Sequence, residues 1–187
     1  MPTPQQQAIL KAYVEADPVL SLIAPNLDGA YAIAAVLNMP AVPAFAVWRT
    51  EVPVAAIRNA LTLSSYTPND AADNTATFTN RLLVAQAKQI NMQIMLQGST
   101  TLDCSGAGVR NDLRDALIQL PTGRNGALVS AGGASGATVL NVCHRPALLV
   151  EKLLAGEVST TGGVTANVLT FEGQISPAEV SAAMGWG

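Results

Sequence analysis

The chain has one histidine, His144, and it directly follows Cys143, one of only two cysteines. Thiol nucleophilic catalysis is therefore the first chemistry to test. It requires the imidazole within hydrogen-bond reach of the sulfur. Adjacent residues on a helix point about 100° apart, so the dipeptide alone does not create that contact. A packed Cys143, with His144 at a helix surface or in a polar contact, is the expected arrangement. A metal centre needs several His, Cys, Asp or Glu ligands at recurring spacings. Asp103-Cys104 and Cys143-His144 lack such spacing, and no metal is expected. Asp112 and Asp115 share a helical face, as paired carboxylates would for acid/base work. Arg110 and Arg114 lie beside them, which favours ordinary charge balance on a surface. No catalytic residue is assigned, and the chain is read as not an enzyme.

Binding motifs are equally scarce. The segment Gly132-Gly133-Ala134-Ser135-Gly136 has neither the Gly-x-x-x-x-Gly-Lys-Ser/Thr nor the Gly-x-Gly-x-x-Gly spacing that cradles phosphates, and there is no Gly-x-Ser-x-Gly elbow. It reads as a flexible or tightly turned connection, and no cofactor is expected. Trp48 with Arg49 could stack on a base, but a lone aromatic among apolar neighbours is more often an anchor in a core or an interface. Ten basic against thirteen acidic residues give a net charge of −3 without a Lys/Arg block, so specific DNA binding is not expected.

The elements that would position these residues are mostly helical. Thr3-Pro4 caps a helix with a stripe at Ala8, Ile9, Tyr13 and Ala16, ending at Asp17-Pro18. Another turn or two covers Val19 to Ala24, and Asp28 can cap a helix from Gly29 to Leu37. An extended linker, Ala44 to Arg49, leads to a helix over Val54 to Leu61. The longest helix runs from about Asp73 or Thr77 to Gln97, with Leu83, Ala87, Ile90 and Ile94 in register. Its polar side carries Gln86, Gln89, Gln93 and Gln97 with few charges. Such amides serve either a solvated face or an interface that avoids desolvating charge. Val109 to Leu120 forms a further helix. Thr138 to Ala155 is periodic but should kink or split at Pro146. Glu157 to Ala166 is turn-rich, and Ser176-Pro177-Ala178-Glu179 opens a helix to about Met184. The expected fold class is mainly α: a single helical, adaptor-like domain over 1–187 with long loops, a short β or extended arm near 167–171 and a short C-terminal helix.

Composition suggests what such a fold is for. Hydrophobic residues make up 49% of the chain and charged residues 12%, about half the usual charged share. Every apolar run is broken within about ten residues, so no membrane span is expected. The start of the chain lacks the pattern of a secretion signal, so synthesis in a cytoplasm with reduced thiols is expected. Surface poor in charge can stay soluble by being buried against copies of itself or a partner.

Several segments together resemble the neck proteins of tailed bacteriophages, the head-tail adaptors or connectors below the portal. They are Ala16-Asp17-Pro18, Asn26 to Ala34, Pro43 to Thr50, Ser64 to Pro68, Ala85 to Gln89, Arg145-Pro146-Ala147, Val150 to Leu154 and Leu169-Thr170-Phe171-Glu172-Gly173. The resemblance implies a structural virion protein made in the host cytoplasm. It would form a homo-oligomeric ring of twelve copies, dock on the portal protein, contact other neck or tail proteins and let DNA pass through a channel for genome ejection. Phe45, Trp48, Arg49 and Phe171 are then candidate interface residues, with core packing as the competing role for the aromatics. Glu151 and Lys152 are candidates for pairing between subunits, or are solvated surface residues. A head-completion stopper, a tail terminator and a small cysteine-dependent hydrolase are the alternatives.

Overall fold

The computed structural model describes residues 1–67, 76–118, 120–122, 127–128 and 139–186. Helices and strands are interleaved. Helix α1 (Pro4–Ala16) opens on a reciprocal cap: Thr3 Oγ1 accepts from the Gln6 N–H at 3.3 Å, and Gln6 Oε1 accepts from the Thr3 N–H at 2.7 Å. It ends where Asp17 Oδ1 turns the chain by accepting from the N–H groups of Val19 (2.8 Å) and Leu20 (2.9 Å), which starts a 3-10 turn at Leu20–Leu22. Helix α2 (Leu27–Leu37) is capped by Asn26, whose Oδ1 accepts from the Gly29 N–H at 2.8 Å. The expected cap, Asp28, instead lies in the first turn, because Asn26 already reaches the N–H three residues ahead.

The chain continues through β1 (Ala46–Trp48), β2 (Val52–Pro53), α3 (Val54–Ala60), α4 (Ala76–Leu96), β3 (Thr101–Leu102), α5 (Ala107–Leu117), β4 (Pro121–Thr122), β5 (Ala127–Leu128), β6 (His144–Pro146), α6 (Leu149–Leu153), β7 (Ala155–Thr161), β8 (Val164–Leu169) and α7 (Pro177–Met184). A mixed four-stranded sheet has the order β6-β1-β8-β7, with β1 and β8 parallel and Val47 opposite Asn167. Two small antiparallel pairs join β2 to β3 and β4 to β5.

This sheet overturns the mainly-α expectation. The stretch read as a helix that Pro146 should kink or split is split, and with a strand between its parts: residues 139–142 are helical, His144–Pro146 is a strand, α6 follows, and β7 begins at Ala155. Pro146 lacks an N–H and disfavours a helical conformation at the residue before it, so the break becomes an extended segment. The stretch read as turn-rich, 157–166, is a hairpin. Gly162 and Gly163 adopt φ of 57° and 84°, the left-handed region that a two-residue hairpin turn requires. Of the short β-strand or extended arm expected near 167–171, residues 167–169 are strand, the end of β8 (Val164–Leu169), with Thr170 and Phe171 beyond it.

The chain divides into two compact units. One comprises 1–47, 146–158 and 167–187, the other 48–145 and 159–166. In the first, α1, α2, α6 and α7 enclose a core that includes Leu10, Val14, Ile33, Leu37, Val150 and Val180. Ser176 and Glu179 close the expected capping box on α7, and Gly185 ends it at φ 72°. In the second, α4 turns Ala85, Met92 and Leu96 inward, and α5 turns Leu113, Ala116 and Leu117 inward. Val52, Ile57 and Leu120 are also among that unit's buried residues.

Candidate functional site

The chemistry-bearing residues of the second unit gather around Trp48. The preceding polypeptide is extended, and Trp48 is 0% exposed at the end of β1. Arg110 lies over its ring, the guanidinium carbon 4.7 Å from the centroid, and His144 meets it edge-on at 6.1 Å. Arg110 occupies the same face of α5 as Leu113 and Leu117, which makes it the most deeply buried cation among the described residues, at 1% exposure. A buried charge needs partners. Nη1 donates to the Cys104 carbonyl at 2.8 Å and to the Ser105 carbonyl, Nη2 to Ser159 Oγ at 2.8 Å, and Nε to Thr161 Oγ1 at 3.3 Å. Desolvation lowers its pKa, against the opposing influence of Cys104, Asp103 and Cys143. The guanidinium therefore acts as a clamp, tying the turn before α5 to β7 and to the indole.

The cysteines lie in the same cluster, fully buried. Backbone hydrogen bonds fix both to Arg49: its N–H donates to the Cys143 carbonyl and its carbonyl accepts from the Cys104 N–H, each at 2.9 Å. The two thiols interact. Hydrogen bonding to Cys143 holds the Cys104 thiol below its usual range, helped by Arg110 and Arg49 and opposed by burial. The bond to Cys104 and burial push Cys143 well above it. Cys143 Sγ also contacts the Val139 carbonyl at 3.3 Å. His144 has a lowered pKa, because burial disfavours the imidazolium. Its ring meets the indole of Trp48 edge-on. Among the described residues, no group of three or more His, Cys, Asp or Glu side chains is placed to hold a metal ion.

The first unit has its own buried anion. Glu151, at 0% exposure, accepts from the Leu148 N–H through Oε2 and from the Gly173 N–H through Oε1, both at 2.8 Å. It ties the start of α6 to the chain beyond β8. At that burial the carboxylate is neither the solvated surface group nor the intersubunit partner that the sequence suggested as alternatives, and it serves as an internal cap. Lys152 is half-buried, with Nζ 3.3 Å from the carbonyls of Val42 and Pro43. Phe171 is half-buried against the first unit's core. Phe45 is half-buried, its carbonyl accepting from the Ala147 N–H at 2.7 Å. Arg49 is half-buried, and its guanidinium donates to the carbonyls of Val142 (3.4 Å) and Glu51 (3.3 Å). Trp48 is a core residue of the second unit.

What remains outward is helix α4. Opposite its buried face, Leu83, Ala87, Ile90 and Ile94 are exposed, the three large ones at 57%, 54% and 64%. Gln86, Gln93 and Asn91 flank them, exposed as well. An open groove of about 680 Å³ runs between α4 and α5, its floor including Val84, Ala87, Ile94 and Ala116 and its α5 edge Asp112 and Asp115. Lys88 Nζ reaches across to the Asp115 carbonyl, and desolvation lowers its pKa despite the nearby Asp115 carboxylate. Asp115 also pairs with Arg114 at 2.8 Å, the surface charge balance expected of those residues.

Sequence reasoning placed Arg110 in that balance and missed its burial. The signal was its spacing: positions 110, 113 and 117 share one helical face. No protein family matches this chain, nor does any curated protein or solved structure.

Proposed function

We propose that this protein is a structural subunit that works by assembling with copies of itself and with partners, and that its assembly is the neck of a tailed phage. In this reading it is a ring-forming head-tail adaptor that docks on the portal and joins capsid to tail around the DNA channel. The observation that carries the proposal is a contrast between interior and surface. The groups able to do chemistry, Cys104, Cys143, Arg110 and Glu151, are buried and engaged with backbone or with one another. Large apolar side chains stand exposed in each unit: Val19, Leu22, Leu27 and Tyr31 in the first, Leu63, Leu83, Ile90 and Ile94 in the second. Exposed apolar surface combined with few charges favours burial against a partner. The phage setting is supported by the resemblance of the chain's segments, and the net charge of −3 suits a conduit that does not retain DNA.

The test is mass spectrometry of purified phage particles with a copy-number estimate. A count close to that of the portal subunit is expected. Absence from particles sinks the adaptor reading, and crosslinking to the tail tube without any portal contact replaces it with a tail terminator.

A further inference from the structure

We propose that Cys104 and Cys143 form a redox site, a buried dithiol that a peroxide converts to an intramolecular disulfide, fastening the turn before α5 to the segment that leads into β6. They are the only cysteines of the chain, they lie far apart in sequence, and both belong to the second unit. Arg49 pins both backbones: its N–H donates to the Cys143 carbonyl and its carbonyl accepts from the Cys104 N–H, each at 2.9 Å. The side chains converge as well, because the two thiols are hydrogen-bonded to one another. A disulfide forms only between cysteines whose Cβ vectors converge, and two sulfurs already in contact meet that condition.

The surroundings distinguish the two sulfurs. The Cys143 S–H donates to Cys104 and, with the charges of Arg110 and Arg49, favours the Cys104 thiolate against burial and the Asp103 carboxylate. A thiolate supported by neighbouring cations is the reactive form of cysteine, whereas a thiol packed among apolar groups alone is inert. Cys104 is therefore the nucleophile. Cys143 keeps its proton, held by the bond to Cys104 and by burial, and is the resolving thiol.

The chemistry takes two steps. The Cys104 thiolate attacks one oxygen of hydrogen peroxide, the O–O bond breaks, and hydroxide leaves a sulfenic acid on the sulfur; that hydroxide takes up the proton Cys104 released on ionising. The Cys143 sulfur then attacks the sulfenic sulfur. The S–S bond forms, the S–O bond breaks, and the Cys143 proton leaves with the departing hydroxide as water. Two thiols and one peroxide thus give one disulfide and two waters, with two electrons passing from sulfur to oxygen.

Burial selects the oxidant. Both cysteines are 0% exposed, which shuts out a bulky disulfide such as oxidised glutathione. Cys104 nevertheless lies in a turn whose neighbours Asp103 and Gly106 are exposed, so a local opening of that turn admits a molecule as small as peroxide. Arg110 holds the turn closed through the carbonyls of Cys104 and Ser105. A resolving thiol in contact with the sulfenic acid intercepts it before a second peroxide arrives. The bond closes a loop of about 40 residues, and by the loss of chain entropy in the unfolded state it should raise the melting midpoint by roughly 10 °C.

The test treats the full wild-type chain with hydrogen peroxide, blocks remaining thiols by alkylation in urea, and reads the intact mass and the tryptic peptides. The expected product is a single chain lighter by two hydrogen atoms, with the peptide carrying Cys104 linked to the peptide carrying Cys143. Dithiothreitol should restore both thiols. In a Trp186→Phe chain, Trp48 fluorescence should report the higher midpoint of the oxidised second unit and its return on reduction. Cys143→Ser should stop at a sulfenic acid on Cys104 that dimedone traps, and Cys104→Ser should trap none. Native thiols that survive peroxide, disulfides only between chains, or a bond that leaves the Trp48 midpoint unmoved overturn the proposal. The bond forms or fails in the isolated chain, whatever that chain assembles with.

Discussion

Arg110→Ala removes the clamp of the second unit, and its cost can be worked from the contacts. The guanidinium donates to two turn carbonyls and two hydroxyls and covers the Trp48 ring at 4.7 Å, with 1% of the residue exposed. A hydrogen bond to a charged group contributes about 1.5–3 kcal/mol, and a desolvated cation over an indole about 2 kcal/mol. The desolvation of the arginine itself offsets much of that sum, and removing one partner from a buried charged network costs about 3–5 kcal/mol. At about 2–4 °C per kcal/mol for a chain of this length, melting should fall by about 10 °C. The assay is urea unfolding followed by fluorescence in a Trp186→Phe background. There Trp48 reports on the second unit alone, because Trp186 belongs to the first. Arg110→Met keeps the apolar stem and should recover packing but not the turn. Arg110→Lys should recover less than half the loss, because one ammonium cannot span the same acceptors. If Arg110→Ala unfolds within about 1 kcal/mol of wild type, the clamp does not hold the unit together.

Three further outcomes follow from the structure. Glu151→Ala leaves the N–H groups of Leu148 and Gly173 without the carboxylate that accepts from them. It should cost about 2–4 kcal/mol, seen as a lower thermal midpoint by circular dichroism. Gly29→Ala should destabilise although alanine is the better helix former by about 1 kcal/mol. A Cβ at this position would lie 2.0 Å from the Ala24 carbonyl oxygen, so a thermal midpoint at or above wild type would show that the turn yields freely. His144, the only histidine, is held below its ordinary pKa by burial, so below about pH 6.5 the unfolded chain binds a proton more readily than the folded one. Stability should be fully present at pH 7.5 and decline as pH falls through the unfolded value of 6.5 toward the lower folded one. The His144 ring resonance, followed by NMR titration, should give a midpoint under 6.5, and His144→Gln should flatten that part of the stability profile.

Much of the helical framework was legible from local chemistry. Thr3-Pro4 and Ser176-Pro177-Ala178-Glu179 open helices where expected, because a cap is a contact between residues three apart and needs no tertiary partner. The 3.6-residue periodicity of Val54–Ala60 and of the end of α4 at Leu96 was equally local. The stripe Leu83, Ala87, Ile90 and Ile94 was visible, but sequence could not say that the core would take the other apolar face of α4, at Ala85, Met92 and Leu96. Trp48, read as an interface anchor or a core residue, and Glu151, read as an intersubunit partner or a surface residue, are both interior, because burial depends on what the rest of the chain packs over them.

Local chemistry was enough to fix where α1 and α7 start, and composition was enough to fix that few charges would cover the surface. Both are properties of neighbouring residues and of composition. Tertiary structure alone decided that β1 would lie parallel to β8 and that Arg110 would be covered. A strand paired about 120 residues away leaves little periodic trace, and a cation on an apolar stripe is buried only when Trp48, Ser159 and Thr161 arrive from distant segments to receive it.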